Sequence, residues 1–171
     1  MHRLSPNMTT WHITWGTYGA RLHGGDRATV DRREAAIGDR FVGRNEQREQ
    51  AEKTIMRGDA VYLDHEQRRF VESTVVQLCD RGGWTLRTCA SGIEGDHIHV
   101  LVDADPAVHG EKIRRLLKRW LTQAMNERFA RPRSGKWWAV QGSNRVVDSD
   151  AYLSRVIPYI DRQRATSTAP M

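Results

Sequence analysis

The sequence predicts a single α+β domain, and the order of its segments carries most of that prediction. Short β-rich segments and long amphipathic segments follow one another as strand, helix, strand, strand, helix, strand, helix. Nothing in the 171 residues repeats or marks a second domain. This order is typical of a split βαβ sheet of the ferredoxin-like or RRM-like kind. We therefore expect an antiparallel sheet of four to five strands with helices packed on one face, plus a C-terminal helix that carries a tyrosine, over a core of residues 11–164.

Composition and charge narrow the class of protein. Hydrophobic residues make up 39% and charged residues 28% of the chain, which is typical of a globular domain. No apolar run approaches membrane-spanning length and the first residues lack a signal-peptide core, so we expect a cytoplasmic protein with no membrane partner. Cys79 and Cys89 lack zinc spacing, and we interpret them as buried thiols in a reducing compartment. The net charge of +6 favours a nucleic acid partner.

The first half of the chain predicts one strand, a long loop, a helix and a hairpin. Residues 11–18 alternate as a strand, with Trp11, Ile13 and Trp15 on one face and His12 on the other. Residues 19–59 form a long loop that contains one helix near residues 46–56. The remaining predicted elements are a short extended lead-in at 60–64, a helix at 65–81, and two strands at 84–91 and from residue 97, joined by a turn at 92–95.

The second half predicts two helices around one or two strands. A helix over residues 111–129 has an apolar face that includes Leu117 and Leu121 and a basic face. Residues 136–147 contain one or two strands, residues 149–164 form the last helix with Ser149 or Asp150 as its N-cap, and residues 165–171 fray. We place four tryptophans in the core: Trp11, Trp15, Trp84 and Trp120.

Two histidines lie one residue apart in the segment GDHIHVLVD. Because side chains at i and i+2 of a strand point the same way, His97 and His99 can bind one metal ion from one face. Ile98 and Val100 point the other way and anchor the strand in the core. The alternative is that both imidazoles simply pack or face solvent.

The last helix carries a phenol and an amide that can act together with the two histidines. Tyr159 and Gln163 are four residues apart and share a helix face. The amide oxygen of Gln163 can bind a hard cation, and two histidines with one amide suit Mg²⁺ or Mn²⁺. Tyr159 is then a candidate nucleophile toward a phosphodiester. An ordinary half-buried tyrosine and a solvated glutamine are the alternatives. Pro158 either kinks this helix or begins a new one.

These motifs, HIH followed by VLV, a long basic helix, and a tyrosine with a glutamine four residues later, together resemble the single-tyrosine HUH transposases. That family includes insertion-sequence transposases and REP-associated tyrosine transposases, and the opening WHITWGTYG is similar to the latter. The resemblance covers about residues 11–164. It implies that His97, His99 and Gln163 bind a divalent metal, Mg²⁺ or Mn²⁺, and that Tyr159 attacks single-stranded DNA. It also implies a 5′-phosphotyrosine intermediate, a free 3′-hydroxyl, recognition of hairpin DNA, and assembly as a homodimer in many members.

A basic surface is the predicted site of DNA contact. Its residues are Lys112, Arg114, Arg115, Lys118, Arg119, Arg131, Arg133 and Lys136. The alternative is a solvated helix face. Trp137 and Trp138 could offer a ring for base stacking, although at least one of them suits the core better.

Three further residues can support the histidines. Asp96 and Asp103 can accept hydrogen bonds from the imidazoles, or stand as ordinary turn and strand-end residues. His12 is either a catalytic neighbour of His97 or a hydrogen-bonded structural histidine.

The sequence leaves three functions open. The first is a metal-dependent nicking and joining transposase. The second is an RRM-like DNA-binding protein descended from such a transposase that has lost its chemistry. The third is a metal-dependent hydrolase with a water nucleophile, which needs a carboxylate base beside the histidines and no tyrosine.

Overall fold

The computed structural model describes residues 2–20, 46–56 and 58–165. Most of the predicted long loop, the residues 21–45, and most of the predicted frayed end, the residues 166–171, lie outside these ranges. The described elements are β1 (Thr9–Thr17), α1 (Glu46–Ile55), α2 (His65–Gly82), β2 (Thr85–Ala90), β3 (His97–Ala104), α3 (Gly110–Arg128), β4 (Trp138–Val146) and α4 (Asp150–Asp161).

The four strands form one antiparallel sheet in the order β2-β3-β1-β4. This is the order that a split βαβ, ferredoxin-like fold requires. The predicted hairpin of β2 and β3 is confirmed, and the segment 136–147 supplies one strand rather than two. The predicted α+β class and antiparallel sheet are therefore confirmed.

Helices cover both faces of the sheet. Successive side chains of β3 point in opposite directions, so this strand contributes apolar residues to both faces. Ile98, Val100 and Val102 pack with the apolar residues of α2 and α3 on one face. Leu101 packs on the other face with the apolar residues of α4, which are Leu153, Val156, Ile157 and Ile160. The helices α2 and α3 thus share one face as expected, while α4 lies on the opposite face.

Helix α4 ends earlier than its sequence predicts. Ser149 caps its first turn by accepting a hydrogen bond from the Tyr152 amide at 3.2 Å. Pro158 stands inside the helix and does not begin a new one. The helix ends at Asp161, and Gln163 lies in the following turn, where its amide donates to the Ile160 carbonyl. Gln163 is therefore held by a tightened turn and not by the helix itself.

The predicted core is confirmed with one exception. Trp11, Trp15 and Trp84 are buried, whereas Trp120 is only partly buried and stacks on Trp84. The two thiols, Cys79 and Cys89, are buried and free, and burial raises the pKa of each to about 12. Within the described ranges, no helix has the length and apolarity that crossing a bilayer requires.

Candidate active site

Strand β3 places two histidines on the face that α4 covers. His97 and His99 alternate with Ile98 and Val100, which are fully buried on the opposite face. His99 is only 6% exposed. A buried polar ring is stable only when its nitrogens find partners, so the contacts of these two rings decide what the site can do.

The inner nitrogens of the two histidines converge with an amide oxygen. His97 Nε2 lies 2.9 Å from His99 Nε2 and 3.1 Å from Gln163 Oε1. Three atoms that can each present a lone pair therefore point at one small region. The predicted trio of His97, His99 and Gln163 is brought together by the fold, across a separation of 66 residues.

The end of α4 delivers the phenol and orients the amide. The ring of Tyr159 meets the ring of His99 edge to face at 5.6 Å between centroids, and Tyr159 is 47% exposed. The amide nitrogen of Gln163 donates to the Tyr159 carbonyl at 3.4 Å. Because that nitrogen is committed to the backbone, the amide oxygen is the atom that faces His97.

The outer nitrogen of His97 has the partner that the sequence suggested. Asp96 Oδ1 lies 2.6 Å from His97 Nδ1. A carboxylate at this position holds the ring hydrogen on Nδ1 and leaves Nε2 with its lone pair.

Of the two alternatives for Asp103, the structure supports the strand-end residue and not the acceptor for an imidazole. Its carboxylate accepts hydrogen bonds from Thr10 at 2.6 Å, Ser5 at 3.0 Å and Arg87 at 2.7 Å. Burial by itself would raise the pKa of Asp103, but these hydrogen bonds and the Arg87 charge lower it overall. Asp103 lies four residues beyond His99 on the same face, and it joins β1 and β2 to the N-terminal segment.

His12 contacts the outer nitrogen of His99 and not His97. His12 Nε2 lies 3.1 Å from His99 Nδ1, and His12 Nδ1 lies 3.2 Å from the Tyr152 hydroxyl. Burial, followed by the charge of Arg145, lowers the pKa of His12 to about 4, so its ring is neutral near pH 7. Sequence reasoning missed Tyr152, although its spacing of seven residues from Tyr159 places both on one stripe of α4.

Helix α2 holds the segment that carries Gln163. Arg68 donates to the Gln163 carbonyl at 2.9 Å, and the Ala165 amide donates to Glu72 at 2.9 Å. Glu72 is buried and also accepts from the backbone amide and hydroxyl of Ser91. No sequence pattern pointed to this contact, because it joins residues more than 90 positions apart.

The predicted basic surface divides into two groups. Lys112, Arg115 and Arg119 share one exposed stripe of α3, and the loop residues Arg131, Arg133 and Lys136 are exposed as well. Arg114 and Lys118 instead turn toward β4, where the Arg114 side chain lies against Gly142. The ammonium of Lys118 donates to the carbonyls of Ala139 and Val140, and burial together with the Arg114 charge lowers its pKa to about 8. Lys118 therefore chiefly connects α3 to β4 through hydrogen bonds.

The interpretation that at least one of Trp137 and Trp138 belongs to the core is confirmed for both, which leaves neither ring free for base stacking. The two side chains are 3% and 6% exposed, and Trp137 donates to the Asn126 side chain at 2.9 Å. Both rings belong to the core on the α2 and α3 face.

The donor set fits a divalent cation. Among the residues that the structure describes, no cluster of three or more His, Cys, Asp or Glu side chains could hold a metal ion. The converging set does not need one, because its third donor is the amide oxygen of Gln163. Two imidazole nitrogens and one neutral oxygen can bind a divalent cation when water completes the coordination.

Fold and site together define an α+β protein in which a C-terminal helix covers a pair of strand histidines. A family model described as "Transposase IS200 like" matches residues 55–163, well over half of the chain. The chain belongs to the IS200-like transposase family. Among curated proteins, none matches this sequence. A crystal structure described as a "putative transposase" from Deinococcus radiodurans R1 aligns over 97% of this chain and 98% of its own, with 15% identity and a TM-score of 0.49.

Proposed function

We propose that this protein is a metal-dependent transposase that nicks and joins single-stranded DNA through a 5′-phosphotyrosine intermediate, on DNA that contains hairpins. One observation carries the proposal: His97 Nε2, His99 Nε2 and Gln163 Oε1 converge beside the exposed phenol of Tyr159. Membership of a transposase family supports DNA as the substrate.

The phenol of Tyr159 is the nucleophile in this proposal. Its oxygen forms a bond to the phosphorus of a phosphodiester while the bond from phosphorus to the 3′ oxygen breaks. The phenol loses its proton and the leaving 3′ oxygen gains one, so the products are a phosphotyrosine and a free 3′-hydroxyl. The same hydroxyl can attack the phosphotyrosine in the reverse direction, which joins strands without a nucleotide cofactor.

His97, His99 and Gln163 would hold the divalent cation. When bound, Mg²⁺ or Mn²⁺ supplies positive charge that polarises a phosphodiester. Asp96 keeps the hydrogen of His97 on Nδ1, and the Tyr159 carbonyl fixes the Gln163 amide. These contacts orient the donor atoms before any ligand arrives.

The exposed basic residues would contact the hairpin stem. Lys112, Arg115 and Arg119 can each neutralise a phosphate from one stripe of α3. The exposed loop residues Arg131, Arg133 and Lys136, which follow α3 in the chain, would add further phosphate contacts.

The water-nucleophile alternative has less support. A carboxylate base would have to stand where the Nε2 atoms converge. Asp96 contacts the opposite, Nδ1 side of His97, and Asp103 is engaged with Arg87.

A covalent-capture assay tests the proposal. The full chain is mixed with labelled single-stranded DNAs that form hairpins, with Mg²⁺ or Mn²⁺, and products are separated on a denaturing gel. We expect a metal-dependent protein–DNA adduct that Tyr159→Phe and His97→Ala abolish. Tyr62→Phe is the matched control, because Tyr62 is an exposed tyrosine outside the site.

Other outcomes would select a different function. Hairpin binding without an adduct from any substrate would favour a DNA-binding protein without chemistry. Metal-dependent cleavage that persists in Tyr159→Phe would favour a water nucleophile.

A further inference from the structure

Three side chains form a continuous hydrogen-bonded chain behind the converging atoms. The Tyr152 hydroxyl lies 3.2 Å from His12 Nδ1, and His12 Nε2 lies 3.1 Å from His99 Nδ1. The other nitrogen of His99 faces His97 Nε2 at 2.9 Å. Each nitrogen of His99 therefore has its own partner: Nδ1 contacts His12, and Nε2 faces the converging atoms.

We propose that His12 and Tyr152 are positioning residues that select the form of His99 able to bind a metal ion. This inference rests on the proposed function, since it assigns a role toward the same cation. His12 and Tyr152 act through His99 and do not themselves touch the converging atoms.

The contacts permit two arrangements of the ring hydrogens, and only one of them leaves His99 a lone pair for a metal ion. His99 can offer the Nε2 lone pair only if its hydrogen is on Nδ1, where it is donated to His12 Nε2. His12 must then carry its own hydrogen on Nδ1 and donate it to the Tyr152 oxygen. In the opposite arrangement His12 donates to His99 Nδ1, which leaves the His99 hydrogen on Nε2 and blocks coordination. The tautomer of His12 thus decides whether His99 is a ligand.

The chain also fixes the position of the helix that carries the nucleophile. His12 belongs to β1, where it pairs with Leu101 of β3. Tyr152 belongs to α4, two helical turns before Tyr159. A hydrogen bond between His12 and Tyr152 therefore sets the position of α4 over the strand that bears His99.

The two histidines have unequal supports. His97 is oriented by a carboxylate, and His99 by a neutral ring. The family match begins at residue 55, so it does not include His12. The role of His12 is inferred from the geometry alone.

Metal affinity of the purified full chain tests the proposal. Titration of Mn²⁺ followed by electron paramagnetic resonance compares the wild type with His12→Phe, which fills the space but accepts no hydrogen bond. Loss of such a supporting contact lowers metal affinity about 10- to 100-fold. His12→Gln, whose amide oxygen can reach the place of Nε2, should recover most of that loss. Tyr152→Phe should weaken binding to a smaller degree, and His65→Gln, at an exposed histidine outside the site, should have no effect.

A second measurement distinguishes positioning from a general structural role. Long-range ¹H–¹⁵N correlation spectra at pH 7.5 report which nitrogen of each histidine carries hydrogen. With Mg²⁺ bound, we expect His99 and His12 to carry it on Nδ1 in the wild type, and His99 to become a mixture of tautomers in Tyr152→Phe and His12→Phe at the same Mg²⁺ concentration.

The outcomes separate this proposal from the proposed function. Wild-type protein that binds no Mn²⁺ would contradict the metal site of the proposed function. A His99 hydrogen on Nε2 in the wild type with Mg²⁺ bound, or Mn²⁺ affinity unchanged in both His12→Phe and Tyr152→Phe, would overturn the role of His12 and Tyr152. If His12→Phe does not fold, the wild-type spectrum and the two milder variants give the same decision.

Discussion

Gly92 lies directly against the imidazole of His97. A Cβ atom at Gly92 would stand 2.6 Å from Cε1 and 2.7 Å from Nδ1 of that ring, and Gly92 has a φ of +65°. The turn between β2 and β3 thus leaves room for a metal-ligand candidate because one residue has no side chain. Asp96 holds His97 through its Nδ1 atom, and Gly92 leaves the space that the ring occupies.

We expect Gly92→Ala to disrupt the site more than the fold. The added methyl group must displace the His97 ring from Asp96, so Mn²⁺ affinity should fall at least tenfold. The left-handed backbone adds a cost of about 1–2 kcal/mol to the free energy of unfolding. Gly135→Ala is the matched control, because Gly135 has a φ of +71° with no atom within 4 Å of its added Cβ. Equal Mn²⁺ affinity in the two variants would contradict the prediction.

The exposed stripe of α3 should govern the salt dependence of DNA binding. Replacing Lys112, Arg115 and Arg119 together by Gln should lower the slope of log affinity against log salt by about one for each residue. The affinity for a hairpin should fall for all sequences alike. Fluorescence anisotropy at several salt concentrations measures both quantities. Lys53→Gln serves as a control, since Lys53 already pairs with Glu49 at 2.6 Å. A slope that stays at the wild-type value in the triple variant would show that these three residues do not contact DNA.

Lys118→Met should instead weaken the fold. The ammonium of Lys118 bonds two carbonyls of β4, and their loss should lower the free energy of unfolding by about 1–3 kcal/mol. The slope of DNA binding against salt should hardly change, because this charge is committed within the protein. Urea denaturation measures the first effect, and the anisotropy titration measures the second. A reduced slope at wild-type stability would assign Lys118 to DNA.

Asp103 should make the free energy of unfolding depend on pH in the acidic range. Its folded pKa is lower than the ordinary value of 3.8, chiefly because the bonds from Arg87, Thr10 and Ser5 outweigh the opposing effect of burial. Such a group stabilises the fold above its unfolded pKa, and this stability is lost as pH falls through the folded pKa. Asp103→Asn should therefore cost about 2 kcal/mol at pH 7 and progressively less below pH 4. Urea denaturation at pH 7 and pH 3 checks this, and a constant difference at the two values would show that ionisation of Asp103 does not matter.

The site should be complete within one chain. Arg68 and Glu72 hold the residues 163–165 of their own chain, so Gln163 and Tyr159 face the histidines of that chain. A mixture of Tyr159→Phe and His97→Ala proteins should then form no more covalent adduct than either alone. Each variant mixed with the wild type is the control for simple inhibition. Recovery of the adduct in the mixture would show that α4 is exchanged between subunits.

The local patterns of the sequence were sufficient for the elements and for part of the site. A period of two places His97 and His99 on one face of β3, and the helical period gives α2, α3 and α4 their apolar stripes. Adjacent residues in the chain decide these features, so no distant partner is needed to read them. Even the pairing of Tyr159 with Gln163 was accessible, although Gln163 lies beyond the end of its helix.

The tertiary structure decided which partner each side chain meets. Asp103 and Asp96 are both acidic residues beside the histidine strand, yet only Asp96 contacts an imidazole. Lys118 and Arg119 are neighbours in the sequence, but their directions on α3 send one toward β4 and the other toward solvent. These choices depend on the packing of elements that are far apart in the chain.

By itself, the sequence determined the α+β class, the antiparallel sheet and the candidate trio of His97, His99 and Gln163. Only the tertiary structure placed α4 on the face opposite to α2 and α3, and so brought His12 and Tyr152 behind His99. The physical reason is that periodicity fixes the direction of a side chain relative to its own backbone. The burial of apolar surface between distant segments then fixes which backbone lies opposite.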